Sequence, residues 1–183
     1  MPLTEHHNTL LINGKGQVKE GLGHDAFAGV PYERLDRIRI VDVKVEDNRV
    51  VLRGDATTAY DPALGLKRFV REFEYTSTGG FTVRDEVETL SPAVLTSLLH
   101  VDDRFEKKDT NKFLVNAGSV NMLIDLSEPK ELKTALEANA LTAPGPPGSV
   151  DKGERQERGQ TLSVSTTMPA NAVHFVMHLR IEK

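Results

Sequence analysis

The sequence predicts an all-β fold: an antiparallel β-sandwich of two packed sheets, with one short helix and a Pro/Gly-rich exposed loop. Three observations point to it. Apolar residues recur at every second position over several stretches, as half-buried strands require. Dipeptides that favour left-handed backbone separate these stretches at hairpin distances. Only one segment carries apolar residues at helical spacing.

The alternation is clearest at the C-terminus, where Val173, Phe175, Met177, Leu179 and Ile181 share one face and His174, His178, Arg180 and Glu182 the other. Phe69 to Tyr75 and Phe81 to Val87 form two further runs joined across Gly79-Gly80, a hairpin turn. A second hairpin runs from Ile38 to Leu52 with its turn at Asp47-Asn48. Its first arm changes parity, from Ile38 and Ile40 to Val41, Val43 and Val45, which predicts a β-bulge near Ile40. Strands are also expected at Asn8–Asn13, Phe113–Val115, Val120–Ile124 and Thr161–Ser165, with a turn at Asn116 to Ser119. The helix is expected over Glu128–Ala140, with Pro129 in its first turn and Leu132, Ala135 and Leu136 on one face. The tract from Thr142 to Arg158, which includes Pro144, Pro146 and Pro147, cannot sustain ladder or helix hydrogen bonding and reads as an exposed loop. Residues 1–183 form a single domain on this reading, because too little chain follows the loop for a second core.

Composition narrows the function. The formal net charge of −4 carries no basic excess, which argues against a nucleic-acid binder. With no cysteine, disulfides and thiolate metal sites are excluded. No apolar run is long enough to cross a bilayer. Met1 to His7 has neither a basic nor an apolar stretch of signal-peptide type. That start, entering a strand within a few residues, points to a piece of a longer chain or to a protein made without a signal peptide. No nucleophile elbow is present. Aromatic residues make up 5% of the chain and fall mostly at core-type positions, which weakens a dedicated sugar-stacking module.

Several histidines are candidates for chemistry. His6 and His7 are adjacent, so on a strand they face opposite sides. His174 and His178 share a strand face but lie about 13 Å apart at 3.3 Å per residue, too far to hold one metal ion. His24 and Asp25 lie in the glycine-rich stretch Gly21 to Ala26, which lacks the helix that a dinucleotide fingerprint needs. Asp102 and Asp103, next to His100, read as solvated carboxylates. Lys15, Lys19, Arg34, Arg37 and Arg39 are the basic residues available to an anionic ligand.

The string His7-Asn8-Thr9-Leu10-Leu11-Ile12-Asn13-Gly14-Lys15-Gly16-Gln17 resembles the His-Asn-Thr segment of the heparinase II/III-like polysaccharide lyases, which include heparinase II, heparinase III and the oligoalginate lyases. Tyr60 to Arg71 resembles the lead into a family strand that carries an arginine, and Phe81 to Val87 resembles the following strand with its Val-x-Asp core, here Val83-Arg84-Asp85. The likeness covers Thr4 to Glu88 and fades after it.

That resemblance implies a C-terminal β-sandwich packed on an N-terminal (α/α) toroid, in an enzyme that cleaves uronic-acid polysaccharides by β-elimination. The groups that neutralise the substrate carboxylate, abstract the C5 proton and protonate the leaving oxygen would lie upstream of Met1, so this chain by itself is expected to be inactive. The resemblance makes His7 a structural zinc ligand whose histidine and aspartate partners are also upstream. It implies an anionic polysaccharide or oligosaccharide as ligand and a periplasmic or secreted location. The alternative is a stand-alone, non-catalytic carbohydrate-binding or scaffold β-sandwich.

Overall fold

The computed structural model describes residues 4–18, 27–142 and 155–182. Twelve strands build it: β1 (Leu10–Ile12), β2 (Arg39–Glu46), β3 (Arg49–Asp55), β4 (Leu66–Thr76), β5 (Gly80–Ala93), β6 (Leu95–Val101), β7 (Phe105–Lys107), β8 (Lys112–Ala117), β9 (Val120–Glu128), β10 (Leu132–Thr142), β11 (Arg155–Thr166) and β12 (Ala170–Glu182). Among the described residues the one α-helix, α1 (Tyr32–Leu35), is a single turn.

All strand pairs are antiparallel. An eight-stranded sheet has the order β2-β3-β4-β5-β12-β9-β8-β7, and a four-stranded sheet the order β1-β6-β11-β10. The chain passes between sheets from β1 to β2, from β5 to β6, from β6 to β7, from β9 to β10 and from β11 to β12.

The local devices are those the turn residues dictate. Asn13 and Gly14 take φ of 50° and 72°, and Ile12 and Lys15 exchange backbone hydrogen bonds across them. Gly80 turns β4 into β5 at φ 84°, and its missing Cβ leaves room for the Leu179 carbonyl, which an added Cβ would meet at 2.3 Å. The predicted bulge is present as a register shift between Ile40 and Asp42.

Two expectations are corrected. Glu128–Ala140 contains no helix, since Leu132 to Thr142 is strand β10, paired with β11 from Leu132↔Thr166 to Thr142↔Arg155. Leu132, Thr134 and Leu136 lie opposite Thr166, Val164 and Leu162, so period two replaced the helical spacing. The Leu, Ala, Glu and Lys content favours helix locally, and pairing with the long β11 overrode it. The loop expected over 142–158 is also shorter, because Thr142 belongs to β10 and residues 155–158 to β11. The remainder of that tract, and the Gly21 to Ala26 stretch with His24 and Asp25, lie outside the described residues, as does Lys19.

The core lies between the sheets. Phe69, Val87, Phe113, Ile124, Phe175 and Met177 of the large sheet meet Leu10, Ile12, Leu95, Leu162 and Val164 of the small one, all buried. Each such side chain stabilises the fold by roughly 1.5–3 kcal/mol. Four strands cannot cover eight. Phe73, Tyr75 and Phe81, on the same side as Phe69 but nearer the β4–β5 turn, remain 44%, 42% and 52% exposed. The opposite side of the large sheet is a ladder of charges. Glu74 accepts from Arg49 and Arg84 at 2.6 Å each, and Glu86 accepts from Arg68 at 2.7 Å. Those bonds hold the Glu74 and Glu86 carboxyls below the usual range.

Candidate functional site

The three segments singled out in the sequence meet at one place. Hairpin register sets Arg71 of β4 directly opposite Asp85 of β5. Side chains of directly opposed residues point to the same face, and here that face is the interior. Asp85 is buried, and Arg71 reaches it with two parallel bonds, Nε and Nη2 to the two carboxylate oxygens at 2.6 Å each. This fork geometry is the strong form of an ion pair. Ser97 Oγ of β6 donates to Asp85 Oδ2 at 3.1 Å. Burial by itself would lower the Arg71 guanidinium, but the Asp85 bonds more than offset it, and its pKa is raised.

The third donor of Arg71, Nη1, turns to the carbonyl of Asn8. Tyr60 adds a second tie: its hydroxyl donates to the Leu10 carbonyl at 2.7 Å and lies 3.3 Å from Thr9 Oγ1. Tyr60 packs edge-on against Phe69, and the Arg71 guanidinium lies over the same Phe69 ring at 5.7 Å. From the other side, Asn8 Oδ1 accepts from the His100 backbone N–H at 2.6 Å. Asn8, Thr9 and Leu10 are thus clasped by β4, β5, β6 and the turn before β4. The clasp is a bracket for the strand that follows His7.

Burial pushes the Tyr60 phenol up to about 12. An unfolded chain ionises near pH 10, so the neutral Tyr60 contributes stability that is complete below pH 10 and lost as pH rises through about 12. The difference is on the order of 2–3 kcal/mol. Denaturant unfolding at neutral and alkaline pH is expected to show this loss in the native chain and not in Tyr60→Phe. Equal alkaline losses in both proteins would contradict the assignment.

His7 itself is exposed at the mouth of the bracket, while His6 lies on the wall of a neighbouring groove of about 800 Å³ together with His100. Thr96, Thr161, Ser163 and Ser165 line the groove with hydroxyls, and Glu5, Asp102 and Glu137 add carboxylates. Thr161 Oγ1 donates to Asn139 Oδ1 at 2.5 Å and lies 2.8 Å from His100 Nδ1. Burial, then the neighbouring His6 and His7, lower the His100 pKa.

The other expected candidates do not join this cluster. His174 and His178 lie on the charged side of β12, and His178 sits between Thr82 and Ser127 hydroxyls at 3.1 Å each. Asp103 caps the Arg104 N–H at 2.8 Å. Arg34 is directed at the Tyr60 carbonyl. Among the described residues, no three His, Cys, Asp or Glu side chains converge where a metal ion could sit. The residues present therefore do not make the three-ligand zinc set that the sequence resemblance implies, and a zinc ion at His7 would need ligands from elsewhere.

Sequence reasoning did not find Ser97 or the packing of His100. Neither carries a local motif; both lie in β6, which went unrecognised, and their partners are far away in sequence.

No family model and no curated protein matches this chain in sequence. Solved structures do match in fold. The heparan sulfate lyase HepC from Pedobacter heparinus superposes with a TM-score of 0.70 at 14% identity, over 98% of this chain and 24% of that one. A heparinase III gene product gives 0.69 at 14%, with coverage of 98% and 24%. A further heparinase III gives 0.68 at 12%, with coverage of 97% and 24%. The chain thus has the fold of one part of these structures and spans about a quarter of their length.

Proposed function

We propose that this chain is the β-sandwich of a heparinase II/III-type polysaccharide lyase and works against an (α/α) toroid that carries the base and the acid of the β-elimination. The observation that carries this reading is the convergence of the His-Asn-Thr, arginine-strand and Val-x-Asp segments on one buried clasp, in a fold shared with a quarter of each heparinase III structure. Arg71 and Asp85 come from one hairpin, and the long-range part of the convergence is the Asn8 to Leu10 segment, which Arg71 and Tyr60 hold across 63 and 50 residues of sequence.

In this reading the clasp is a positioning device. It fixes Asn8 to Leu10, and with them the exposed His7, on a rigid bracket at the margin of a cleft whose other wall is the toroid. His7 offers one imidazole to a zinc site completed by ligands outside the described residues. Substrates are anionic uronic-acid polysaccharides or oligosaccharides, and the location is periplasmic or secreted; both rest on the resemblance alone. The stand-alone carbohydrate-binding reading draws its support from the hydroxyl-lined groove beside His100. Among the described residues, that groove has carboxylates on its walls and no Lys, Arg, Phe or Tyr, a poor fit to an anionic sugar chain.

The test mixes the purified chain with a separately expressed toroid portion of the Pedobacter heparinus lyase and heparan sulfate. Unsaturated uronate is expected only when both pieces are present. A folded pair that yields no product would overturn the proposal.

A further inference from the structure

We infer that the free edge of β2 is a self-association surface, through which two copies of this chain join their large sheets into one. β2 ends the eight-stranded sheet, and among the described residues no strand pairs with its outer edge. Its β-branched residues Ile40, Val41, Val43 and Val45 are 59%, 48%, 53% and 74% exposed. An exposed edge of this kind is a template for another strand.

The hydrogen-bond phase of the hairpin restricts what can pair there. Glu46 and Arg49 close the two-residue turn at Asp47-Asn48. Such a closing pair exchanges its hydrogen bonds within the hairpin, and the phase alternates from there. Val45 and Val43 consequently aim their N–H and C=O groups outward. The register shift between Ile40 and Asp42 limits the regular stretch to the residues after it.

A second copy can approach antiparallel about a two-fold axis through one residue of this stretch. An axis at Asp42 sets carboxylate against carboxylate. One at Lys44 sets ammonium against ammonium and Asp42 against Glu46. One at Val45 sets Lys44 against Glu46 twice but runs off the strand, placing Val43 opposite the turn residue Asp47. An axis at Val43 brings Val43 against Val43 and Asp42 against Lys44 twice. Within one chain Lys44 Nζ already lies 3.4 Å from Asp42 Oδ2. The axis at Val43 therefore creates a square of four alternating charges. Opposite charges directly across a ladder stabilise it and like charges destabilise it, so the strand's own sequence selects this register. A two-fold interface must be self-complementary in this way.

The experiment is analytical ultracentrifugation of the whole chain across the micromolar range. Circular dichroism would show that each variant keeps its fold, as expected for substitutions at an exposed edge. The native chain is expected to reach twice its monomer mass. Asp42→Lys and Lys44→Asp should each weaken association by roughly tenfold or more, because each sets two like-charge pairs across the axis. Mixed one to one, those two variants should form a heterodimer of restored stability. The chain has no cysteine, and opposed Cα atoms about 5.5 Å apart suit a disulfide, so Val43→Cys should cross-link to itself on mild oxidation. A native chain that stays monomeric throughout, or a dimer that both charge reversals leave intact, would overturn the inference.

Discussion

Asp85→Ala is expected to destabilise the fold by about 3–5 kcal/mol, since it leaves the Arg71 guanidinium buried without its counter-charge. It also removes the acceptor of Ser97 and frees the group that holds the Asn8 carbonyl. Equilibrium unfolding in urea measures the loss. The double replacement Arg71→Met with Asp85→Leu is expected to cost much less than Asp85→Ala alone, because burying two apolar groups carries no unpaired charge. A single substitution that costs under about 1 kcal/mol would contradict the clasp as described. The pair is thus expected to be worth more for where it places Asn8 than for net stability.

Phe175→Ala is expected to cost about 3–5 kcal/mol, the range for a fully buried phenyl whose removal leaves a cavity. Phe175 is 1% exposed on β12, in the middle of the large sheet, opposite Asp85. Phe81→Ala, on the adjacent strand but 52% exposed, is expected to cost less than about 1 kcal/mol. The contrast follows from the mismatch in strand number: the small sheet covers the region of Phe175 and stops short of Phe81. Equal losses at the two positions, read from denaturation midpoints, would mean that something covers the outer part of the sheet.

The hairpins were legible because their turns are chemically specific. Their register was not: a two-residue turn at Gly79-Gly80 would pair Thr78 with Phe81 and set Arg71 opposite Glu88, whereas Thr76 pairs with Gly80 across Ser77 to Gly79, which sets Arg71 opposite Asp85. The strand β10 was not legible. Its Leu, Ala, Glu and Lys residues have a helical preference of their own, and only the distant β11 decides otherwise. The face of β4 was half legible. Phe69, Phe73 and Tyr75 share a parity, yet only Phe69 is buried, because burial depends on how far a second sheet extends. In the site, the motif residues could be named from sequence, but their role as a bracket could not. Ser97, His100 and Thr161 join it through β6 and β11, whose neighbourhood is set by the order of strands in the small sheet.

On the proposed reading, this chain braces a lyase cleft, and the base and acid of β-elimination lie elsewhere. The most direct test is ultraviolet absorbance of the unsaturated uronate while the isolated chain is incubated with heparan sulfate, alginate and related polymers, with and without added zinc. No rise above the polymers alone is expected. A rise that scales with protein concentration would contradict it, and would place a complete proton-transfer apparatus within these strands.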